Sequence, residues 1–407
     1  MASNLTKAII ELGNIKIKCI IFKVNENNEV EILSSSRNKS EGIHNGTVVN
    51  LAKATNAIRF CISSAEKEAK TSLKKISVIL EQPEFLCTKF SKHKKINGSK
   101  ILKDDIEFLL KDAKKQVILN DDKQSIIHIF NHNYIVDGKK FDDEPIDVFA
   151  DYLSHEMTFV TMPKNNIKNI NQAFIDCDIE IERFISTTFA LAVKLFDRDL
   201  LQSGCSLIDI GYEKISLGLF KNLALIHSIT FPVGTHHFTK DISKVCSLTL
   251  QESEKIKNEM DFSLKNNNKI FDDKEILKSS YFITSSFRKI SKSLILNVVK
   301  SRLDEISEMI KKQVLLSEYN SIYNSNMFIA GGGSKLNNLE QYFSDFFSTN
   351  VKYLECESKN ENEKNFVSCL GALKIINDGW ETEAIPEPID KNSQKLSFLG
   401  RIFGNRS

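Results

Sequence analysis

The chain has 407 residues, of which 41% are hydrophobic and 27% charged, and a formal net charge of +2. A chain this long exceeds one ordinary core, so two or more lobes are expected. A charge this close to zero, with no basic stripe, excludes nucleic acid as the main partner, because phosphate-backbone binding draws on a large cationic excess.

The eight cysteines lie far apart and form no Cys-x-x-Cys pair, which predicts neither a disulfide framework nor a zinc site. The N-terminus MASNLTKAIIELGN lacks a signal-peptide core, and no run of about 18 apolar residues offers a membrane span. A cytoplasmic protein is therefore expected.

The first predicted element is a hairpin over residues 8–23 (AIIELGNIKIKCIIFK). An apolar run ends in Glu11, and a tight turn carries Gly13, Asn14 and Lys16. An alternating strand then returns. A third strand is read at 29–33. A helix begins near Asn50, with Leu51, Ala54, Ile58, Ile62 and Ala65 on one face, and 75–80 (KISVIL) reads as a buried strand. Residues 83–157 read as an inserted subdomain with a helix over 104–119 and a strand over 125–136, and SKHKK at 91–95 reads as a solvated turn.

The hairpin pattern then repeats without a gap at 206–221 (SLIDIGYEKISLGLFK), with Asp209, Gly211 and Lys214 in the positions of the first turn. A repeat at this distance means a duplicated domain. A strand follows at 224–231, then helical segments from Phe238, with His236 and His237 read as a surface turn. A helix over 290–314 carries Lys292, Lys300 and Arg302. A third glycine turn, Ala330 to Ser334 (AGGGS), stands between the strand 327–329 and a helix near Asn337. Both halves open β-β-β-α, so the fold class is α/β with two related lobes.

A phosphate tail needs close backbone approach, an acid for a metal and a lysine on the phosphates. Two matching hairpins and a strand–Gly-Gly-Gly–helix supply these together, which predicts a nucleotide site. Its candidates are Glu11, Gly13, Asn14, Lys16, Asp209, Gly211, Lys214, Gly331, Gly332, Gly333 and Ser334, with Glu11 and Asp209 as metal ligands.

At the C-terminus, 381–394 has a linker composition with Pro386 and Pro388, and 395–407 (KLSFLGRIFGNRS) follows. Leu396, Phe398, Leu399, Ile402 and Phe403 gather toward one helical face, and Arg401 lies largely opposite. Such a helix, about 18 Å long, is too short to span a bilayer and suited to lying in the headgroup plane.

In order and content the sequence resembles FtsA, the cell-division family of the actin-like ATPase superfamily. The resemblance is carried by residues 41–50 (EGIHNGTVVN), 128–138, 232–242 (PVGTHHFTKDI), 253–257 (SEKIK) and 299–306 (VKSRLDEI). It implies duplicated actin-like (RNase H-like) lobes around a nucleotide cleft, with an FtsA-type insertion. The expected boundaries are 1–82 with 158–204, then 83–157 inserted, then 205–380 with an outer subdomain at about 258–325. It implies ATP and Mg2+ as cofactors, and adds Gly234 and Thr235 on the ribose side and Glu254 and Lys257 on the adenosine side. It further implies self-association into filaments, and contact with the FtsZ C-terminal tail through Lys300 and Arg302. Other divisome partners and peripheral attachment to the inner membrane at the division site follow from the same likeness.

Departures from the family pattern concern hydrolysis. Tyr212 and Glu213 fill two glycine positions, Lys214 replaces a threonine, and Thr235 replaces a glycine. No residue in 185–192 is assigned to position a water, so no catalytic residue is named and ATP hydrolysis is expected to be weak or absent. Two readings on the same fold stay open: a type IV pilus assembly ATPase-like protein, which the C-terminal helix disfavours, and a sugar-kinase-like enzyme, which the filled second turn disfavours.

Overall fold

The computed structural model describes residues 6–25, 29–259, 275–284, 289–316, 326–356 and 361–378. The linker 381–394, the helix 395–407 with Leu396, Phe398, Leu399, Arg401, Ile402 and Phe403, and parts of the outer subdomain 258–325 lie outside the described residues. The chain clusters into two compact units, the first drawn from 1–203, 220–228 and 356–407, the second from 204–219 and 229–355.

In the first unit, β1 (Thr6–Leu12) and β2 (Lys16–Val24) pair antiparallel with Leu12 opposite Ile17, and β3 (Val30–Lys39) extends the sheet. A small hairpin of β4 (Ile43–His44) and β5 (Thr47–Val48) leads into α1 (Leu51–Ala69). The Asn50 side chain caps α1, accepting from Lys53 N at 3.0 Å, and satisfies one of the unpaired amides of a helix start. Of the predicted stripe, Ala54, Ile58, Ile62 and Ala65 are buried, whereas Leu51, in the first turn of the helix, is exposed; β6 (Lys75–Leu80) pairs parallel with β1.

The insertion contains β7 (Leu86–Lys100), α2 (Lys103–Asn120), β8 (Gln124–Val136), β9 (Lys139–Phe141) and β10 (Phe149–Pro163). Its sheet order is β7-β10-β8-β9. Residues 91–95, expected as a turn, lie inside β7. Lys92 and Lys94 turn toward α2, pairing with Asp112 at 2.7 Å and Asp105 at 2.6 Å. α3 (Lys164–Ile175), β11 (Glu180–Ser186), α4 (Thr187–Leu195) and α5 (Arg198–Ser203) complete the N-terminal part, and the five-stranded sheet runs β11-β6-β1-β2-β3.

The second half begins with β12 (Cys205–Ile210), β13 (Ile215–Lys221) and β14 (Ala224–Phe231). α6 (Thr235–Cys246), α7 (Leu250–Glu259) and α8 (Lys292–Leu316) follow. His236 and His237 thus belong to the first turn of α6, not to a surface loop. β15 (Met327–Ala330), α9 (Leu339–Phe347) and β16 (Val351–Tyr353) close this half. Its sheet, β14-β13-β12-β15-β16, repeats the first strand for strand, with β12–β15 and β15–β16 parallel as β1–β6 and β6–β11 are. The duplication seen in sequence is a duplication of topology.

Two helices end the described chain, α10 (Glu361–Asn365) and α11 (Val367–Asp378). The sequence boundaries put α11 in the second lobe, whereas the helix packs on α4 and β1 of the first unit. The reason is local. Gly371 has no side chain and lets α11 press onto the Ala190 carbonyl, and Lys374 Nζ donates to Val193 O at 3.3 Å.

Candidate functional site

The predicted glycine turns of the second half meet in one place within the second unit. β12 delivers Asp209 at its end, and Gly211 N donates to Lys214 O at 2.9 Å to close the turn into β13. A Cβ on Gly211 would sit 2.8 Å from the Lys214 carbonyl oxygen, so the turn demands glycine. β15 runs beside β12 with Ala330 opposite Asp209, which carries the Gly-rich loop to the same edge. Gly331 adopts φ +92°, and a Cβ there would lie 2.3 Å from Asp209 Oδ1 and 2.6 Å from Ile210 O. A Cβ on Gly333 would meet Thr235 Cγ2 at 2.4 Å. Gly332 alone of the three has nothing within 4 Å and faces open space. Ser334 is buried and donates to Gly331 O at 2.5 Å, holding the loop as a 3-10 turn over Gly332–Lys335.

The ribose-side residues Gly234 and Thr235 close onto the Asp209 turn. Thr235 N donates to Gly211 O at 3.1 Å and His236 N to Tyr212 O at 2.8 Å. The Tyr212 ring stacks on His236 at 4.6 Å with 24° between planes. Glu213, whose side chain is 14% exposed, faces His236 Nε2 at 3.9 Å and Lys240 Nζ at 4.0 Å. Burial pushes the His236 imidazole down and Glu213 pulls it back, with the net shift downward.

Lys257 is 3% exposed and grips both carboxylate oxygens of Glu254 at 2.7 and 2.8 Å. Glu254 also accepts from Thr239 Oγ1 at 2.5 Å. Burial alone would raise the Glu254 carboxyl, but the hydrogen bonds from Lys257 and Thr239 outweigh it and hold the group below its ordinary value. The neighbouring Glu252, which sequence reasoning missed, is buried and accepts from Thr249 N, Ile283 N and Thr284 N at 3.0, 2.6 and 2.9 Å. It ties the start of α7 to the segment at 283–284. Its signal was an acid three residues after Thr249, the spacing of a capping box.

The first turn lies in the first unit. A Cβ on Gly13 would sit 2.6 Å from Lys16 O, so this turn too requires glycine. Asn14 donates to Asn45 Oδ1 at 3.1 Å. Glu11 pairs with Lys18 at 2.8 Å rather than with Lys16, because the register sets Lys18 opposite it. Lys16 is exposed at the strand start. Among the described residues no group of three or more His, Cys, Asp or Glu side chains gathers as a metal site.

A family model described as cell division protein FtsA matches residues 206–371, and one described as the SHS2 domain inserted in FtsA matches residues 86–161. Together they cover more than half of the chain. The chain belongs to the FtsA family. The FtsA of Buchnera aphidicola subsp. Schizaphis graminum is 25% identical over 399 residues, covering 97% of this chain and 90% of that protein. Among solved structures, a PilM–PilN type IV pilus biogenesis complex aligns with TM-score 0.64 at 14% identity, over 91% of this chain and 99% of that one. MreB 5 of Spiroplasma citri bound to AMPPNP aligns with TM-score 0.51 at 14% identity, over 93% and 99%. These likenesses give the fold as that of the actin-like ATPases.

The FtsA match contains the Asp209 turn, the Gly-rich loop and the α8 patch named above. On α8 Lys300 is exposed, whereas Arg302 is engaged. Arg302 Nε and Nη2 reach Asp241 Oδ2 and Oδ1 at 2.7 and 3.0 Å, and Nη1 also contacts Glu305. The hydrogen bonds it donates to Asp241 raise the guanidinium above its ordinary value. The FtsA-type insertion is tied to its lobe by a buried network that the sequence did not announce. Glu81 Oε2 accepts from Ser186 Oγ at 2.7 Å and Thr188 N at 3.0 Å, and Ser186 N donates to His128 Nε2 on β8 at 2.9 Å. All of these side chains are buried. Among the described residues no helix is long and apolar enough to cross a membrane.

Proposed function

We propose that this FtsA-family chain binds ATP with Mg2+, self-associates, and tethers FtsZ filaments to the cytoplasmic face of the inner membrane. Hydrolysis is weak or absent, and other division proteins join the same assembly. The convergence of Asp209, Gly331 and Gly333 around an open Gly332 carries the nucleotide part. Two glycines there are required by backbone approach, and the third leaves a main-chain edge free for an anion.

Asp209 and the glycine turns fit a Mg2+-bound adenine nucleotide. Mg2+ takes one or two carboxylates and completes its shell with phosphate oxygens and water, so Asp209 suffices on this side without a ready-made cluster. When bound, the ion neutralises phosphate charge. Lys214 and the 331–334 loop hold the tail, and Glu254 and Lys257 form a rigid wall on the adenosine side. The MreB 5 likeness, whose structure holds AMPPNP, agrees with this reading.

The C-terminal segment 395–407, with Leu396, Phe398, Leu399, Ile402, Phe403 and Arg401, supplies the membrane contact. A single tail binds weakly, and several on one filament bind firmly through effective concentration. Sedimentation with anionic liposomes, with and without ATP and FtsZ, tests the whole assembly. The chain is expected to pellet, to bring FtsZ with it, and to lose both on Leu399→Glu with Phe403→Glu. Pelleting unchanged by that pair of substitutions overturns the anchor.

The acidic-hydrophobic FtsZ tail is assigned to Lys300 and Arg302. Because Asp241 already holds Arg302 through two hydrogen bonds, the peptide carboxylates compete with it. Asp241→Asn is therefore expected to tighten binding of an FtsZ tail peptide several-fold, and Arg302→Glu to weaken it at least tenfold, measured by fluorescence anisotropy. Equal affinities in all three proteins dismiss the assignment.

A further inference from the structure

We propose that Tyr212 and Glu213 set the length of phosphate tail the second-unit turn accepts, favouring a nucleoside diphosphate over a triphosphate. The inference rests on the nucleotide reading above and concerns the same site.

The amides that open α6 are already spent. Thr235 N and His236 N donate to the carbonyls of Gly211 and Tyr212 at 3.1 and 2.8 Å. The two segments are pressed together, since a Cβ on Gly234 would lie 2.5 Å from Tyr212 O and 2.7 Å from Gly211 O. Withdrawing either segment to admit a terminal phosphate breaks both hydrogen bonds, leaving buried polar groups unpaired.

The side chains close the turn from the other direction. Tyr212 is held by its stack on His236, and Lys257 Nζ lies 5.8 Å from the Tyr212 ring centroid. Glu213 brings a carboxylate to the turn, and its contacts to His236 and Lys240, at 3.9 and 4.0 Å, are long for ion pairs. With His236 held below its ordinary pKa by burial, it is largely neutral at pH 7 and cancels little of that charge. An added terminal phosphate therefore meets a filled turn and a like charge. A shorter tail keeps the open Gly332 edge and Lys214.

The test is calorimetric titration of the full chain with Mg-ADP and with Mg-AMPPNP. ADP is expected to bind at least tenfold more tightly. Tyr212→Gly combined with Glu213→Gly is expected to bring the ratio close to one by strengthening the triphosphate. Glu213→Gln, which keeps side-chain size and guards against misfolding of the double variant, is expected to narrow the ratio by the electrostatic part alone. Equal affinities in the unaltered chain, or a ratio unmoved in both variants, overturns the inference while leaving nucleotide binding intact. Failure of both nucleotides to bind the unaltered chain removes the nucleotide reading and this inference with it.

Discussion

Gly371→Ala is expected to destabilise the first unit by about 3 kcal/mol or more, a single methyl with the effect of an overpacked core. The added Cβ would fall 1.8 Å from the Ala190 carbonyl oxygen and 2.6 Å from its carbon. Both are backbone atoms of α4, so no rotamer change relieves the clash, and α11 must lift away from the helix it covers. Lifting it exposes Phe189, Ala190 and Val193 on one side and Cys369, Ala372 and Ile375 on the other, all buried. Gly332→Ala is the matched control. Its Cβ meets nothing within 4 Å, so stability should stay within about 0.5 kcal/mol. Urea unfolding of the two variants, followed by circular dichroism, separates them. Similar midpoints would refute the close helix crossing.

Acid is expected to unfold this protein from the inserted domain inward, and His128 is the reason. The imidazole is fully buried between Phe130 and Phe189, with ring centroids 5.5 Å from each. Its Nε2 accepts from Ser186 N at 2.9 Å, so the ring is neutral and its proton sits on Nδ1. Burial, reinforced by the Arg183 charge, pushes its pKa down to about 3 from an ordinary 6.5. Between those values the unfolded chain binds a proton that the folded chain refuses. Stability is thus fully present above about pH 6.5 and falls by about 1.4 kcal/mol per pH unit below it. Protonation also destroys the acceptor for Ser186 N, which frees the Glu81–Ser186 network. His128→Gln offers an amide oxygen to the same donor and does not titrate. The expected result is a urea midpoint that drops between pH 7.5 and 5.5 in the parent and drops less in the variant. Identical slopes would refute the role of His128.

How far the sequence could be read depends on whether a feature is periodic. The stripe of α1 and the twin hairpins are periodic, and both appear where the pattern put them, except that Leu51 at the start of α1 is exposed. The strand β7 carries lysines at 89, 92, 94, 95 and 100, which suggest a loop by composition. What makes it a strand is pairing with β10, which is distant in sequence, and the acids of α2 that accept Lys92 and Lys94. The ion pair of Glu11 with Lys18 has no sequence signal of its own, since only the β1–β2 register sets the two side chains opposite each other. In the second turn Asp209, Gly211 and the Gly331–Gly333 loop were legible as a group. The stack of Tyr212 on His236 was not, because it needs α6 to start three residues earlier than its apolar pattern begins. Glu81 and His128 carry no local signal, for a buried polar pair is recognisable only once its partners are known.

The strands by which the chain leaves and re-enters the first lobe, β7 and β10, are neighbours from Leu86 opposite Thr161 onward. Exit and return therefore stand one strand spacing apart, about 4.8 Å. A short reverse turn could bridge that gap as readily as a whole folded module does. The lobe's sheet takes no strand from the module, so what fastens the two together at the base is the hydrogen-bonded set of Glu81, Ser186 and His128 and not a shared sheet.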